Sequence, residues 1–292
     1  MKTSISLELG VLAGLSYEET AKTLKKTGFD GIDLDLSHDQ SEPEKVLSDE
    51  WMKKAVAMAK ATKDAGLEIA QSHLPYFPGH LENPGDGSDE AFEAFMLPMY
   101  EQGLKACGRT GCKIAVMHPY YHLESKEKTI EGNVRLIRRL LPLMEKYGVQ
   151  IALENVFGRR NGQYLKAYVS LPETILAIID GVNSPLVGAC IDTGHANIFR
   201  LNISDMARMY GSRLIALHVN SNAGHDEHAI PYSISGWCEK LDFHAFSAAL
   251  REIGYKGFYN LEITGGRFPA SVAEPFYAYA GGVARYLADL AL

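Results

Sequence analysis

IALEN, residues 151–155, is a short apolar run that stops on a carboxylate, Glu154. Three later runs behave alike. GACIDTGHA at 188–196 carries Asp192, LIALHVN at 214–220 carries His218, and YNLEI at 259–263 carries Glu262. An apolar strand belongs in a core, and a charge at its end is costly there unless it is paired or bound to a cation. Four successive runs with that ending point to one shared site.

Working outward from these runs, the same pattern extends through the chain. EIAQSH (68–73) ends on His73, and IAVMH (114–118) ends on His118. Strand-like runs are expected at 5–10, 31–37, 68–74, 113–119, 150–155, 187–193, 214–220 and 257–263. Segments of helical period alternate with them at 16–27, 47–65, 88–110, 125–147, 171–182, 203–211, 242–253 and 269–290. Local punctuation agrees. Ser16 with Glu19, and Ser170 with Glu173, fit capping boxes. Gly28, Gly66, Gly111, Gly148 and Gly254 fall where helices should end. Val134, Ile137, Leu141 and Met144 recur at spacings of three and four and predict one buried helix stripe.

Continuously apolar strands suit a parallel sheet covered on both faces. Eight strand–helix alternations therefore predict a single-domain α/β chain over residues 1–292, a closed (β/α)8 TIM barrel. The competing open, doubly wound sheet would carry a Gly-x-Gly-x-x-Gly turn after its first strand, and none is present. In a barrel the catalytic mouth lies at the C-terminal ends of the strands. His73, His118, Glu154, Asp192, His218 and Glu262 should all converge there. His195 follows Asp192 by three residues, and Asp226 and His228 lie in the loop after the seventh strand. A lone histidine or carboxylate at such a place is usually a satisfied structural group or a helix cap. Asp33 and Asp35 in GIDLDLS read that way; six adjacent strand ends do not.

Three carboxylates and one imidazole (Glu154, Asp192, Glu262, His218) form a hard oxygen/nitrogen set. It suits one divalent cation, Mn²⁺, Mg²⁺ or Co²⁺, with positions left for substrate oxygens. If His73, His118, His195 and the Asp226/His228 pair also bind metal, the site becomes histidine-rich and zinc gains weight.

Composition excludes some functions. The 292 residues are 46% hydrophobic and 22% charged with a formal charge of −7, which argues against a nucleic-acid partner. The basic pairs Lys25-Lys26, Arg138-Arg139 and Arg159-Arg160 are scattered. No apolar run reaches membrane-spanning length, and Glu8 interrupts the apolar start that could pass for a signal peptide. Cys107, Cys112, Cys190 and Cys238 form no Cys-x-x-Cys pair and read as free thiols. The expected compartment is the cytoplasm.

Together, LENV with Glu154, CIDTGHA with Asp192 and His195, ALHVN with His218 and NLEIT with Glu262 resemble the xylose isomerase-like barrel superfamily. The sugar (phosphate) isomerases and epimerases are the most similar group, and the likeness is strongest over about residues 150–264. The resemblance implies that Glu154, Asp192, His218 and Glu262 hold one divalent metal. It further implies that Glu154 and Glu262 face opposite sides of a small-molecule sugar and exchange its proton, through an enediolate. His195 would hydrogen-bond a substrate hydroxyl, and His73 and His118 would be further substrate-binding groups. Asp226 and His228 would be additional metal or substrate contacts. The same superfamily includes tri-zinc abasic-site endonucleases, whose ligand pattern is also matched by His73, His118, Glu154, Asp192, His195, His218, Asp226, His228 and Glu262. Metal-dependent polyol dehydratases share the core too. The resemblance allows a homo-oligomer.

The sequence also departs from better-defined relatives. Where ketose epimerases carry an arginine after the seventh-strand histidine, this chain reads Val219-Asn220-Ser221-Asn222. The lysine-bearing motif of true xylose isomerases is missing. Gly265-Gly266-Arg267 sits where many barrels bind phosphate, although a plain turn accounts for it as well. Trp237, Phe157, Tyr76 and Tyr120 fall in loops expected at the mouth, to stack on a sugar or to cover the core. Met96 and Met99 read as core.

Overall fold

The protein is described from a computed structural model, over residues 1–6, 14–37, 39–76, 89–234, 241–263 and 268–292. Eight parallel strands follow one another around the sheet. They are β1 (Thr3–Ser6), β2 (Gly31–Asp35), β3 (Glu68–His73), β4 (Ile114–Met117), β5 (Gln150–Glu154), β8 (Val187–Asp192), β9 (Leu214–His218) and β10 (Tyr259–Leu261). β10 pairs with β1, and the gap between β9 and β10 is bridged at Val219–Leu261. There Val219 N donates to Asn260 O, and Glu262 N donates to Val219 O. The expected (β/α)8 barrel is the observed fold. An antiparallel hairpin, β6 (Gly158–Arg160) with β7 (Gln163–Leu165), is inserted after β5.

The helices are α1 (Tyr17–Lys26), α2 (Pro43–Val46), α3 (Asp49–Asp64), α4 (Asp89–Thr110), α5 (Lys126–Tyr147), α6 (Pro172–Val182), α7 (Thr193–Ile198), α8 (Ile203–Tyr210), α9 (Phe243–Glu252) and α10 (Ala270–Leu290). All eight expected helices are present within a few residues. The short α2 and α7 are extra. The Ser16/Glu19 capping box forms on α1. The one expected at Ser170/Glu173 does not: Leu171 is the N-cap of α6, and Ser170 Oγ instead donates to Val156 O at 2.7 Å. Pro172 at the first helical position removes an N–H that would otherwise need a cap. All five helix-end glycines have positive φ. The α5 stripe is rotated from its expected position. Ile137 and Met144 are buried with Leu136 and Leu140, while Val134 and Leu141 are only partly buried. β1 begins at Thr3, earlier than the expected 5, and 7–13, with Glu8, lies outside the described residues.

The core divides by the two-residue pleat of the strands. Ile151, Leu153, Ala189, Ile191, Leu217 and Leu261 pack outward under the helices in one large cluster. Val116, Ala152, Cys190 and Ala216 form a separate small cluster inside the cylinder. Glu154, Asp192 and His218 stand two residues beyond Ala152, Cys190 and Ala216. The pleat therefore points them inward too, one layer nearer the mouth. Met96 and Met99 are core, as expected, and Cys107, Cys112 and Cys190 are buried free thiols. Among the described residues no helix is long and apolar enough to cross a membrane.

Gly194, in the first turn of α7, meets the chain after β9 closely. A Cβ there would stand 1.8 Å from Asn220 Oδ1. The Asn220 amide could yield only by giving up its 2.9 Å donation to Asp192 Oδ2. Gly194→Ala should cost about 1–3 kcal/mol of stability. A thermal melt with an unchanged midpoint would contradict this account of the turn.

Candidate functional site

Every ionisable residue expected at the mouth is found there. Glu154 is fully buried at the end of β5 and is the hub. Its Oε2 lies 3.1 Å from His218 Nδ1, 3.4 Å from His118 Nε2 and 3.5 Å from His73 Nε2, and its Oε1 lies 3.0 Å from His195 Nδ1. His218 Nδ1 is also 3.3 Å from Glu262 Oε2. Asp192 ends β8 and caps α7, its Oδ1 accepting from His195 N at 2.6 Å. That cap places the His195 ring back over the mouth, where Nδ1 approaches Asn155 O at 3.1 Å.

The loop after β9 is held by a two-way backbone bond between Ser221 and Ala229, both at 2.8 Å. His228, at φ 48, occupies the left-handed region that side chains rarely adopt. The turn aims its ring inward: Nε2 is 2.9 Å from Asp226 Oδ1 and Nδ1 is 3.4 Å from Glu262 Oε2. Asp226 Oδ1 also lies 3.7 Å from His195 Nε2.

Three groups of side chains have ligand atoms within 4.8 Å of one another: Glu154, Asp192, His218 and Glu262; His73, Glu154 and His218; and Asp192, His195 and His228. Glu154 Oε1 and Glu262 Oε2 are buried and make no hydrogen bond, although ring nitrogens stand 3.0–3.4 Å away. Donor atoms crowded together without hydrogen-bond geometry are what a cation between them would need. The donor set thus fits a divalent metal.

The stretch without the arginine is buried and committed to the scaffold. Asn220 Nδ2 holds Asp192 Oδ2, and Asn222 Nδ2 donates to Gly194 O at 2.8 Å. Tyr76 packs on the His118 and His73 rings, with centroids 4.4 and 5.2 Å apart, and Phe157 meets His195 edge-on at 4.9 Å. Tyr120 belongs to the core beside Phe92. Trp237, Cys238 and Gly265-Gly266-Arg267 lie outside the described residues.

Asp33 does not cap a helix. It is 2% exposed and points into the cylinder, its Oδ2 3.2 Å from His218 Nε2. Gln71 Nε2 and Asn260 Nδ2 donate to the same oxygen at 3.0 and 3.2 Å, and Ser4 Oγ donates to Asn260 at 2.7 Å. The alternation in GIDLDLS carried the signal, since Ile32 and Leu34 face the helices and Asp33 must face the opposite way. Asp35 does act locally, accepting from Ser37 N at 2.7 Å.

The model of the family described as xylose isomerase-like TIM barrel matches residues 21–281. The chain belongs to this family. One relative is a probable endonuclease 4 of Mycoplasmopsis pulmonis (strain UAB CTIP), 29% identical over 136 residues, 46% of this chain and 44% of that protein. Another is an inosose isomerase of Bacillus subtilis (strain 168), 24% identical over 179 residues, 60% of this chain and 62% of that protein. The chain spans about half the length of relatives such as these. A crystal structure of D-psicose 3-epimerase in the presence of D-fructose has the same fold, with a TM-score of 0.74 over 99% of both chains at 17% identity.

Burial and mutual charge shift the titrations of this family member's site strongly. Burial lowers His73 and His228, but Glu154 for the first, and Glu262 with Asp226 for the second, outweigh it and lift each imidazole to about 9. Burial takes His118 down to about 4. Among the carboxylates, burial lifts Glu262 to about 7 against the pull of His218 and His228. Burial would raise Glu154 too, but His218 and His118 hold it well below its usual range.

These shifts predict the pH response of metal-free protein. A histidine lifted from 6.5 to about 9 stabilises the fold fully below 6.5, and that contribution disappears as pH rises through 9. Glu262, lifted from 4.5 to about 7, works in the same sense over its own lower window. The thermal midpoint of chelator-treated protein should therefore fall between pH 6.5 and 9. A midpoint rising over that window would show that the imidazoles are not held protonated by these carboxylates.

Proposed function

We propose that this barrel is a divalent-metal-dependent isomerase or epimerase of a small sugar or sugar derivative. The observation that carries the reading is the convergence of Glu154, Asp192, His218 and Glu262, with two buried carboxylate oxygens left without hydrogen bonds. The names of relatives support it: an inosose isomerase and a D-psicose 3-epimerase both rearrange polyhydroxylated carbonyl compounds.

Glu154, Asp192, His218 and Glu262 would hold the cation. When bound, it would supply Lewis-acid stabilisation of the negative charge that develops on the substrate. The remaining work belongs to side chains. Glu154 and Glu262 are the proton carriers. Glu154 takes the proton from the carbon beside the carbonyl, and Glu262 returns one. His195, fixed by the Asp192 cap, is placed to donate to a hydroxyl. With a cation bound, Asp33 would keep the His218 proton on Nε2 and so leave the Nδ1 lone pair free to serve as a ligand beside Glu154 and Glu262.

Glu154→Gln and Glu262→Gln should each keep the fold and lose about 100-fold or more of solvent-deuterium incorporation into a ketose or inosose substrate. Full activity in either variant would sink the two-base scheme. Asp33→Ala should weaken Mn²⁺ or Co²⁺ binding about 10- to 100-fold in a competition titration. An unaltered affinity would remove Asp33 from the site.

A second reading is favoured by one specific observation. His73, His118, His195, Asp226 and His228 join the four strand-end donors, so the assembled set is histidine-rich. Such a set suits several zinc ions and phosphodiester cleavage, in line with the name of the probable endonuclease 4 relative. Elemental analysis separates the two. About one Mn or Mg per chain supports the isomerase, and about three Zn with cleavage of an abasic duplex supports the nuclease.

A further inference from the structure

The β6–β7 hairpin stands out by charge. From Asn155 to Pro172 the chain has no Asp or Glu but carries Arg159, Arg160 and Lys166, within a protein of net charge −7. The hairpin turns at Asn161-Gly162, both at positive φ. It is fastened on both sides of the mouth. At its base, a Cβ on Gly158 would meet Leu123 at 3.2 Å and Tyr121 at 3.4 Å, in the segment after β4. At its other strand, Tyr164 Oη accepts from Asp226 N at 3.1 Å, in the loop after β9.

Arg159 is the organised cation of this hairpin. Its guanidinium lies 5.0 Å from the Tyr164 ring and 5.6 Å from the Phe157 ring, and its Nη2 donates to Tyr164 Oη at 3.1 Å. Phe157 in turn meets the His195 ring at 4.9 Å. Two short steps thus connect the guanidinium with a histidine of the catalytic mouth. Among the described residues no carboxylate pairs with Arg159, whereas Arg135, Arg139, Arg208, Arg213 and Arg285 each have one. A guanidinium stacked on aromatic rings keeps N–H groups at its edge for a planar or tetrahedral anion.

We propose that Arg159 and its aromatic clamp form an anion subsite at the rim, and that the sugar taken by this barrel carries a terminal phosphate or carboxylate which Arg159 binds. The inference rests on the sugar reading above and specifies its substrate class. The carboxylates of the inner site are donors for the metal, whereas the hairpin offers cations and no carboxylate, so the charged end is held at the rim while the neutral hydroxyls face Glu154 and Glu262.

The test compares D-fructose, D-fructose 6-phosphate and a hexuronate as probes on metal-loaded protein, by calorimetric titration and by solvent-deuterium exchange. Wild-type protein should bind an anionic probe at least tenfold more tightly than D-fructose, and the better of the two anions identifies the natural group. Arg159→Ala should retain the wild-type thermal midpoint and metal content and lose about 10- to 100-fold of that preference. Arg159→Lys should recover only part of it, because an ammonium neither stacks nor forks. Arg160→Ala should change the preference less than twofold. Equal affinity for neutral and anionic probes, or a preference that survives in Arg159→Ala, overturns the anion subsite and leaves the sugar reading intact. Arg159-dependent capture of an abasic duplex, with no binding of any small probe, overturns both.

Discussion

Parallel strands in a closed cylinder send alternate side chains to opposite faces, and that pleat governs the whole of this protein. Ile151, Leu153, Ile191 and Leu217 face the helices, while Ala152, Cys190 and Ala216 plug the interior. Glu154, Asp192 and His218 come two residues later on the same inward face. A one-residue slip of any strand would turn its ionisable group into the apolar layer under the helices and bring a leucine or isoleucine into the mouth. The stability of the outer core and the position of the site are therefore one constraint.

The interior of the cylinder is divided in character. On the β4, β5, β8 and β9 side it is filled by small apolar groups. On the β10, β1, β2 and β3 side a polar chain runs from Ser4 through Asn260, Asp33 and Gln71 to Leu217 O and His218. A buried network of this kind is tolerable only when its members satisfy one another. Here it ends under the ring of a strand-end histidine, so the polar half of the barrel serves to orient the site. Above it, buried carboxylates and imidazoles crowd together at 3.0–3.5 Å. Without a cation, protons held on His73, His195, His218 and His228 offset the negative charge. A divalent ion would take over that function with more charge in less space.

Much of this was legible residue by residue. The endings of β5, β8 and β9, and Glu262 after β10, could be read because burial and charge conflict there, and such conflicts are visible in a single line of sequence. The helix-end glycines were legible for a similar reason, since left-handed backbone narrows the choice of residue. Where reading failed, two local structures competed. Ser170 satisfies the Ser-x-x-Glu pattern, yet its hydroxyl found Val156 O and the helix began at Pro172. Asp33 read as a structural or helix-capping acid because nothing nearby in sequence reveals the His218 ring 185 positions away. The hairpin carried an Asn-Gly signal between short polar runs, but polar strands lack the apolar alternation that marks a strand.

By itself the sequence determined the alternation of strands and helices, the eightfold repeat and the type of each group at the strand ends, because hydrophobic period and cap chemistry act over a few residues. Only the tertiary structure decided which groups touch: that Glu154 meets four imidazoles, that Asp33 braces His218, and that the Arg159 hairpin reaches the Asp226 loop. Those contacts join distant segments, and their geometry follows from the curvature and closure of the barrel, which no local stretch of sequence encodes.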